Sequence, residues 1–475
     1  MSVFDALKPI INVLPEVKRP ERIPGLQQKL VWTGAVLLLF FLLGQVYPIG
    51  VDPAGIVRFE RLEILLGSRT GTLITAGIGP IVLASIFLQL AFGARLINID
   101  LHTPDGKKLF QGLQKILAIA LSFGEASIYV FSNYIPAAGA LPGSTVAPLL
   151  GSVLFTQIIL ALQLALGSII LLYLDEVVQK YGIGSGISLF IAAGVTQAIF
   201  VGSLSIASTG GIPAGLIPQA IYYLLGGDIT TAIWTLVPIF FTVVVFLVVV
   251  YVEGMKIELP LAYGQARGLG ARYPIKFLYV SNIPVILAAA VLLNIQLFGL
   301  FMAQAGFPLL GTYQNNQPVD GLAYYTTALP SPLLMPGGYP AYIQLYFTQA
   351  REILHVIVYG VALVILCVIF GWFWIESTGM GAKDVAAQLN RTGLQIPGFR
   401  QDPRVMEKIL DRYIPVITIL GSIFVGVLAW FADITGALGT GTGILLTVGI
   451  LYRFYEDLAQ QQIFEMYPVL RKIVK

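Results

Sequence analysis

Residues 234–252 read WTLVPIFFTVVVFLVVVYV, nineteen positions without one charged side chain. A helix of about 20 such residues crosses the roughly 30 Å of hydrocarbon in a bilayer. Similar stretches recur on both sides of this one, separated by polar or Gly/Pro-rich punctuation. They run from Leu30 to Tyr47, Leu73 to Ile97, Leu113 to Tyr134, Leu149 to Leu174, Ile187 to Leu204, Phe277 to Phe301, Ile353 to Ile375, Ile414 to Ala432 and Leu438 to Leu458. With Trp234 to Val252 as the sixth, ten transmembrane helices are expected. Composition agrees, because 57% of the chain is apolar and 11% charged, against roughly 25% charged in soluble domains. An ordinary soluble enzyme is excluded.

Lysine and arginine set the orientation. Of the 28 basic residues, 24 fall on the side that carries both termini, and only Arg58, Arg61, Arg69 and Arg351 fall on the other. Cytoplasmic loops hold the excess of Lys and Arg, so the N-terminus, the C-terminus and the long loops at about 254–276 and 377–413 are expected to be cytoplasmic. Trp32, Trp234, Trp372 and Trp430 lie near predicted span ends, where an amphipathic indole is favoured. The segment 1–29, broken by prolines and charges, reads as a cytoplasmic amphipathic stretch lying at the interface.

No HExxH, P-loop or GxSxG pattern occurs, so metal-assisted, nucleotide-driven and serine-nucleophile chemistry lack their usual signatures. The Gly-rich strings GIGSGIS (182–188) and GALGTGTGILL (436–446) lead into predicted membrane helices, not into an α/β unit. Cys367 is the single cysteine, and His102 and His355 are far apart in sequence. Neither a disulfide framework, a metal site nor a cofactor is expected.

Small residues and prolines interrupt spans 2, 5, 7 and 10. Each interruption alone fits close helix packing, whereas four together fit helices around a shared cavity. A charge at the centre of a span costs about 2.5 to 3.5 kcal/mol on insertion scales. Glu125 in span 3 stands out on that ground, and Asn294 in span 7 is a second polar candidate. So few buried acids argue against proton or sodium coupling. Between spans 1 and 2 lies IVRFERLEILLGSRTG (56–71), too short and too charged to cross a bilayer. An outer segment from Ala303 to Glu352, rich in Gly, Pro and Tyr, is expected to form ordered turns. Arg267, Arg272, Arg391, Arg400 and Arg404 stand within the long basic loops, away from the membrane ends, and suit phosphate contacts with a polyanion such as structured RNA.

Six strings together resemble the SecY family of protein-conducting channels, in its archaeal and eukaryotic-like branch. They are GTLITAGIGPIVLASIFLQL (71–90), GSIILLYLDEVVQKYGIGSGISLFIAAGVTQAIFVG (167–202), YPIKFLYVSNIPVILAAA (273–290), VDGLAYY (319–325), PGFR (397–400) and GALGTGTGILLTVGILYR (436–453). The resemblance covers nearly the whole chain. It implies an all-α membrane fold of ten helices in two inverted pseudo-symmetric halves of five, residues 30–205 and 206–475, around an hourglass pore. It also implies a constriction ring of Ile78, Val82, Ile187, Ile191, Ile286 and Leu446, all aliphatic here; singly, each would pass as ordinary span packing.

The segment at about 56–67 matches the family's plug, with Ile56, Val57, Phe59, Leu62, Ile64 and Leu65 as its apolar residues. Glu125 and Asn294 fall at the polar centre of the lateral gate. The chain departs from the archaeal pattern at Leu83, where a polar residue is usual, so the gate's hydrogen-bond cluster is expected either to be weaker or to recruit Ser85 instead. The basic loops match the ribosome-docking region, and Arg400 of PGFR a partner-coupling position. SecE/gamma-type and beta-type small membrane subunits are implied as partners, and signal peptides, nascent polypeptides and membrane lipid as contacts. The expected function is passive passage of signal-bearing chains across the cell (plasma) membrane, with sideways release of apolar segments into lipid and no bond made or broken. A small-solute transporter would need a polar midplane site, and a scaffold would leave the plug-like segment without a purpose.

Overall fold

The computed structural model describes residues 9, 11, 13–21, 24–53, 67–93, 97, 103–140, 146–209, 211–263, 270–280, 283–314, 317–330, 332, 335, 338–391, 394–395 and 403–466. The helices are α1 (Leu26–Leu43), α2 (Gly79–Gly93), α3 (Pro104–Phe131), α4 (Val153–Tyr181), α5 (Gly186–Leu204), α6 (Leu216–Leu225), α7 (Ile229–Glu253), α8 (Ile283–Gln304), α9 (Gly321–Tyr325), α10 (Gly338–Thr348), α11 (Ala350–Thr378), α12 (Ala382–Arg391), α13 (Pro403–Ile434) and α14 (Gly441–Met466). Eight of the ten expected spans, α1, α3, α4, α5, α7, α8, α11 and α13, are helices long and apolar enough to cross a membrane. Span 2 is the shorter α2, and span 10 is α14, whose second half turns polar.

Local chemistry sets the helix ends. Thr103 accepts the Gly106 N–H at 3.1 Å, with Pro104 and Asp105 in the first turn of α3, so an orphan donor is satisfied and the helix dipole is met by a carboxylate. Asp228 caps α7 through Thr231 N–H at 3.0 Å; bonds from the Thr231 hydroxyl and amide hold its carboxyl below the usual range. Along the membrane helices one face stays apolar and uncovered, as with Val361, Ile365 and Ile369 on α11, which is the face a lipid-exposed helix presents. The opposite faces meet in one large core shared by α1, α2, α3, α4, α5, α7, α8, α11, α13 and α14.

Span 2 begins later than hydropathy places it. The helix starts at Gly79, not Leu73, and residues 69–77 form turns instead. Their backbone is satisfied locally: Leu73 N–H donates to Val46 O at 2.9 Å, and the Thr72 and Thr75 hydroxyls donate to Arg69 O and Thr72 O at 2.7 and 2.5 Å. Non-helical backbone at membrane depth is tolerated only where protein encloses it. Gly167 on α4 makes that enclosure possible, because any Cβ there would overlap the Leu73 carbonyl oxygen.

The all-α membrane fold carries short strands in its loops. Strands β1 (Ser208–Thr209) and β2 (Ile212–Pro213) form a small hairpin between α5 and α6. The loop after α7 folds into β3 (Lys256–Tyr263) and β4 (Gly270–Lys276), antiparallel from Lys256↔Lys276 to Ala262↔Gly270. Between α8 and α9, β5 (Tyr313–Gln314) pairs with β6 (Gln317–Pro318). A further strand, β7 (Leu394–Gln395), joins β3 through Ala262↔Gln395 and Tyr263↔Leu394, so the two long basic loops share one sheet. Strands two residues long carry no readable alternation, and the β3–β4 pair sits in a region whose most visible sequence feature is its basic charge.

Residues 13–21 lie across the ends of α3 and α4. Lys115 donates to Pro15 O at 2.6 Å, Val17 N–H to Glu176 Oε2 at 3.1 Å, and Tyr181 OH to Lys18 O at 2.9 Å. The outer segment is tied down by tyrosines: Tyr342 OH donates to Ile434 O at 3.0 Å, Tyr339 OH to Thr435 O, and Tyr324 OH to both Glu352 oxygens at 2.7 Å. Burial pushes the Tyr339 hydroxyl up to about 12. The plug residues Ile56, Val57, Phe59, Leu62, Ile64 and Leu65 lie outside the described residues.

Candidate functional site

Five helices converge on one cavity of about 250 Å³, α11 through Trp374. Val82 from α2, Ile187 and Ile191 from α5, Ile286 from α8 and Leu446 from α14 all line it. Ile78, one turn before Val82, is fully buried in the same core. The six aliphatic positions expected to form a ring are thus brought together from segments far apart in sequence. Ile78, Ile191 and Leu446 are at most 1% exposed, so these side chains are packed against their neighbours.

The cavity is graded along its axis. On α2 the lining residues are Val82, Ser85, Ile86 and Gln89, and on α14 they are Leu446, Gly449, Ile450 and Arg453. Both sets follow the i, i+3, i+4, i+7 spacing of one helical face. Spans 2 and 10 run in the same direction, so Gln89 and Arg453 lie toward the same end, beside Ser185 and Ser188 from the start of α5. Gln89 donates to Ser85 Oγ at 3.1 Å. A polar collar with one guanidinium therefore leads into an aliphatic neck. Sequence reasoning passes over Gln89 and Arg453, although each stands two turns from a ring residue on the same face.

A second, narrow cleft of about 20 Å³ lies beside the neck, between α2, α3 and α8. Its lining includes Leu83, Glu125, Tyr129, Ile286 and Asn294. Glu125 and Asn294 are brought together as expected, in a space with room for about one water. Tyr129, one turn beyond Glu125, hydrogen-bonds to its carboxylate; the i, i+4 spacing is the available signal for it. Asn294 donates its amide to Ala290 O, 2.7 Å away on its own helix. Ser85 does not join this cleft and lines the central cavity instead. The reason is helical phase: two residues are about 200° on an α-helix, so Leu83 and Ser85 face opposite sides.

Of the arginines expected to dock a partner, Arg272 is exposed on β4 and donates to Glu258 Oε2 at 2.8 Å. Arg272 and Lys256 together hold the Glu258 carboxyl below its usual range. Arg391 ends α12 and Arg404 begins α13, both exposed. Arg267 and Arg400 lie outside the described residues. Among the described residues no group of three His, Cys, Asp or Glu side chains converges as metal ligands would.

Apolar spans packed around an aliphatic neck, with a cleft to the side, define a polytopic helical membrane channel. The SecY family model matches residues 72–455. The chain is 44% identical over 477 residues to the protein translocase subunit SecY of Methanothermobacter thermautotrophicus, covering 99% of this chain and 98% of that one. It is 45% identical over 470 residues to the subunit of the same name in Methanocaldococcus jannaschii, covering 98% and 99%. A solved structure described as that of a protein conducting channel superimposes with a TM-score of 0.80 at 44% identity over 97% of this chain and 98% of that one. Another, described as Sec61 in a canine ribosome-channel complex from the endoplasmic reticulum, gives 0.78 at 44% identity over the same shares. The chain belongs to the SecY family.

Proposed function

We propose that this multi-pass membrane protein is the central, pore-forming subunit of a protein translocase. It acts as a passive channel that moves signal-bearing polypeptides across the membrane and releases transmembrane segments sideways into lipid. The observation that carries this reading is the convergence of Val82, Ile187, Ile191, Ile286 and Leu446 on one cavity, with Ile78 buried beside them. Aliphatic side chains yield to a passing chain of any sequence, and their apolar lining dewets when the chain is gone, so ions cross little. A solute carrier would need polar groups at the ring positions, and all six of those are aliphatic.

The cleft at Glu125, Tyr129 and Asn294 is the lateral exit, opening where α2 and α3 part from α8 and α11. Residues 56–67 act as the plug. The loops bearing Arg267, Arg272, Arg391, Arg400 and Arg404 dock a ribosome, whose elongation supplies the driving force, and both termini face the cytoplasm across the plasma membrane. SecE/gamma-type and beta-type small subunits complete the complex. The two five-span halves, 30–205 and 206–475, move against each other about the neck.

Site-specific crosslinking tests the central claim. A photoreactive residue at position 78, 191 or 286 should capture a stalled, signal-bearing nascent chain on bound ribosomes. Silence at all three with ribosome binding intact would refute the conduit.

A further inference from the structure

The ring residues Ile187, Ile191 and Leu446 sit in the first two turns of α5 and α14, so the placement of two helix starts decides whether the neck closes. Both starts are built in the same way. Asp175, near the end of α4 and 5% exposed, accepts the Ile187 N–H at 3.1 Å through Oδ1, and the Gly186 N–H as well. Asp433, at the end of α13 and 3% exposed, accepts the Gly441 N–H at 3.0 Å through Oδ1. In each case a buried carboxylate on the preceding span meets the exposed N–H groups at the start of a ring-bearing helix. A helix N-terminus favours negative charge and leaves its first N–H groups without intrahelical partners.

Three further features recur. Each ring helix opens on a glycine with no room for a side chain: a Cβ on Gly186 would lie 2.6 Å from Asp175 Cα, and one on Gly441 would overlap the Ala429 carbonyl oxygen. Each aspartate is steadied through its other oxygen, Asp175 by Gln179 Nε2 at 2.7 Å and Asp433 by the Tyr359 hydroxyl at 2.7 Å. Each junction carries a hydroxyl residue just before the glycine. Ser185, which stands at the N-cap of α5, makes no cap bond of its own and donates to Asp175 Oδ1 at 3.3 Å. Thr440 is held at φ 64°, a left-handed conformation rare for a β-branched residue, and accepts the Gly443 N–H at 3.0 Å. A helix that merely needed capping would use its own N-cap side chain; at α5 the cap has been moved onto the neighbouring span.

We infer that Asp175 and Asp433 are paired positioning residues for the pore ring, each pinning the start of one ring helix to the span before it. They act at opposite ends of the bundle, since α4 and α13 run in opposite directions, and so fix the neck from both sides. The Gly-rich strings GIGSGIS and GALGTGTGILL are the hinge segments that let each carboxylate reach the helix start. This inference rests on the ring reading above.

The test is resting ion flux through the full-length chain, purified in its native complex and reconstituted into phospholipid vesicles. Asp175→Ala and Asp433→Ala should each raise flux about ten-fold by loosening the neck. Asp175→Asn and Asp433→Asn retain an acceptor oxygen and should stay within about two-fold of the parent chain. Leu164→Ala, in a separate core cluster, supplies a variant of matched thermal destabilisation that should not leak. Ile191→Gly serves as the reference for an open ring. If Ile191→Gly leaks and the alanine variants leak no more than Leu164→Ala, the aspartates only support the fold and the inference falls. If Ile191→Gly does not leak, the ring reading itself fails and the inference goes with it. Should the alanine variants not fold, Ser185→Ala and Tyr359→Phe each remove one bond to a carboxylate and should raise flux about two- to five-fold; unchanged flux in both overturns the proposal.

Discussion

The Lys115 ammonium lies 2.5 Å from Glu176 Oε1, joining α3 to α4 beneath the N-terminal segment. Both side chains are largely buried, at 10% and 19% exposure, and Glu176 also accepts the Val17 N–H. Removing one partner strands the other charge. Lys115→Met should cost about 2 to 3 kcal/mol, read as a lower thermal midpoint, and should expose residues 13–21 to protease while the spans stay protected. Equal protection in parent and variant would show that other contacts hold the segment.

The same segment should respond to acid. Lys180, 2.7 Å from Glu16, holds the Glu16 carboxyl below its usual range by hydrogen bond and charge. A carboxyl lowered by folding contributes above its unfolded value and loses that contribution as pH falls through the folded one. Protease access to residues 13–21 should therefore be constant near neutrality and rise only below about pH 4. Glu16→Gln should abolish that rise. Because Glu16 is well exposed, the effect should weaken with added salt.

At Gly167 the expected outcome is severe. A Cβ there overlaps the Leu73 carbonyl oxygen, and neither α4 nor the enclosed turn before α2 has space to move. Gly167→Val should destabilise the protein by more than about 3 kcal/mol, with little folded chain recovered from membranes. Gly124, where an added Cβ would meet nothing within 4 Å, should accept alanine with little change.

Leu83 offers a test of the side cleft. It faces Glu125 and Asn294 in a space too small for more than about one water. An amide at this position would gain interhelical hydrogen bonds worth about 0.6 kcal/mol in a membrane. Leu83→Asn should hold the cleft shut more firmly and lower insertion of marginally apolar signal segments about three-fold, with strongly apolar ones unaffected. Equal losses for both kinds of segment would point to a general defect.

The spans are legible in the sequence because length and lack of charge suffice to identify them. Span 2 is legible as an apolar stretch but not as a late-starting helix, since the cause is Leu73 lying against Gly167, a contact between segments about 94 residues apart in sequence. The grouping of the six aliphatic positions is suggested only by family resemblance: an isoleucine facing a pore and one facing a neighbouring helix look alike in sequence. Glu125 and Asn294 can be picked out because polarity in a span is rare, whereas the expectation for Ser85 fails because it neglects helical phase. Arg453 and Tyr129 carry a spacing signal that becomes readable only once their neighbours on the same face are known. The role of Asp175 depends on where α5 begins relative to α4, which the sequence does not state.

The strand pairing of Ala262 with Gln395 gives the two basic loops a shared backbone. A partner that grips one loop therefore pulls on both. Lys276, the last residue of β4, bonds Glu456 of α14 at 2.8 and 2.9 Å, and ten residues further along the chain is Ile286. The sheet is thus a lever whose short arms end on α14 and α8: force applied to either basic loop reaches two of the helices that line the central cavity.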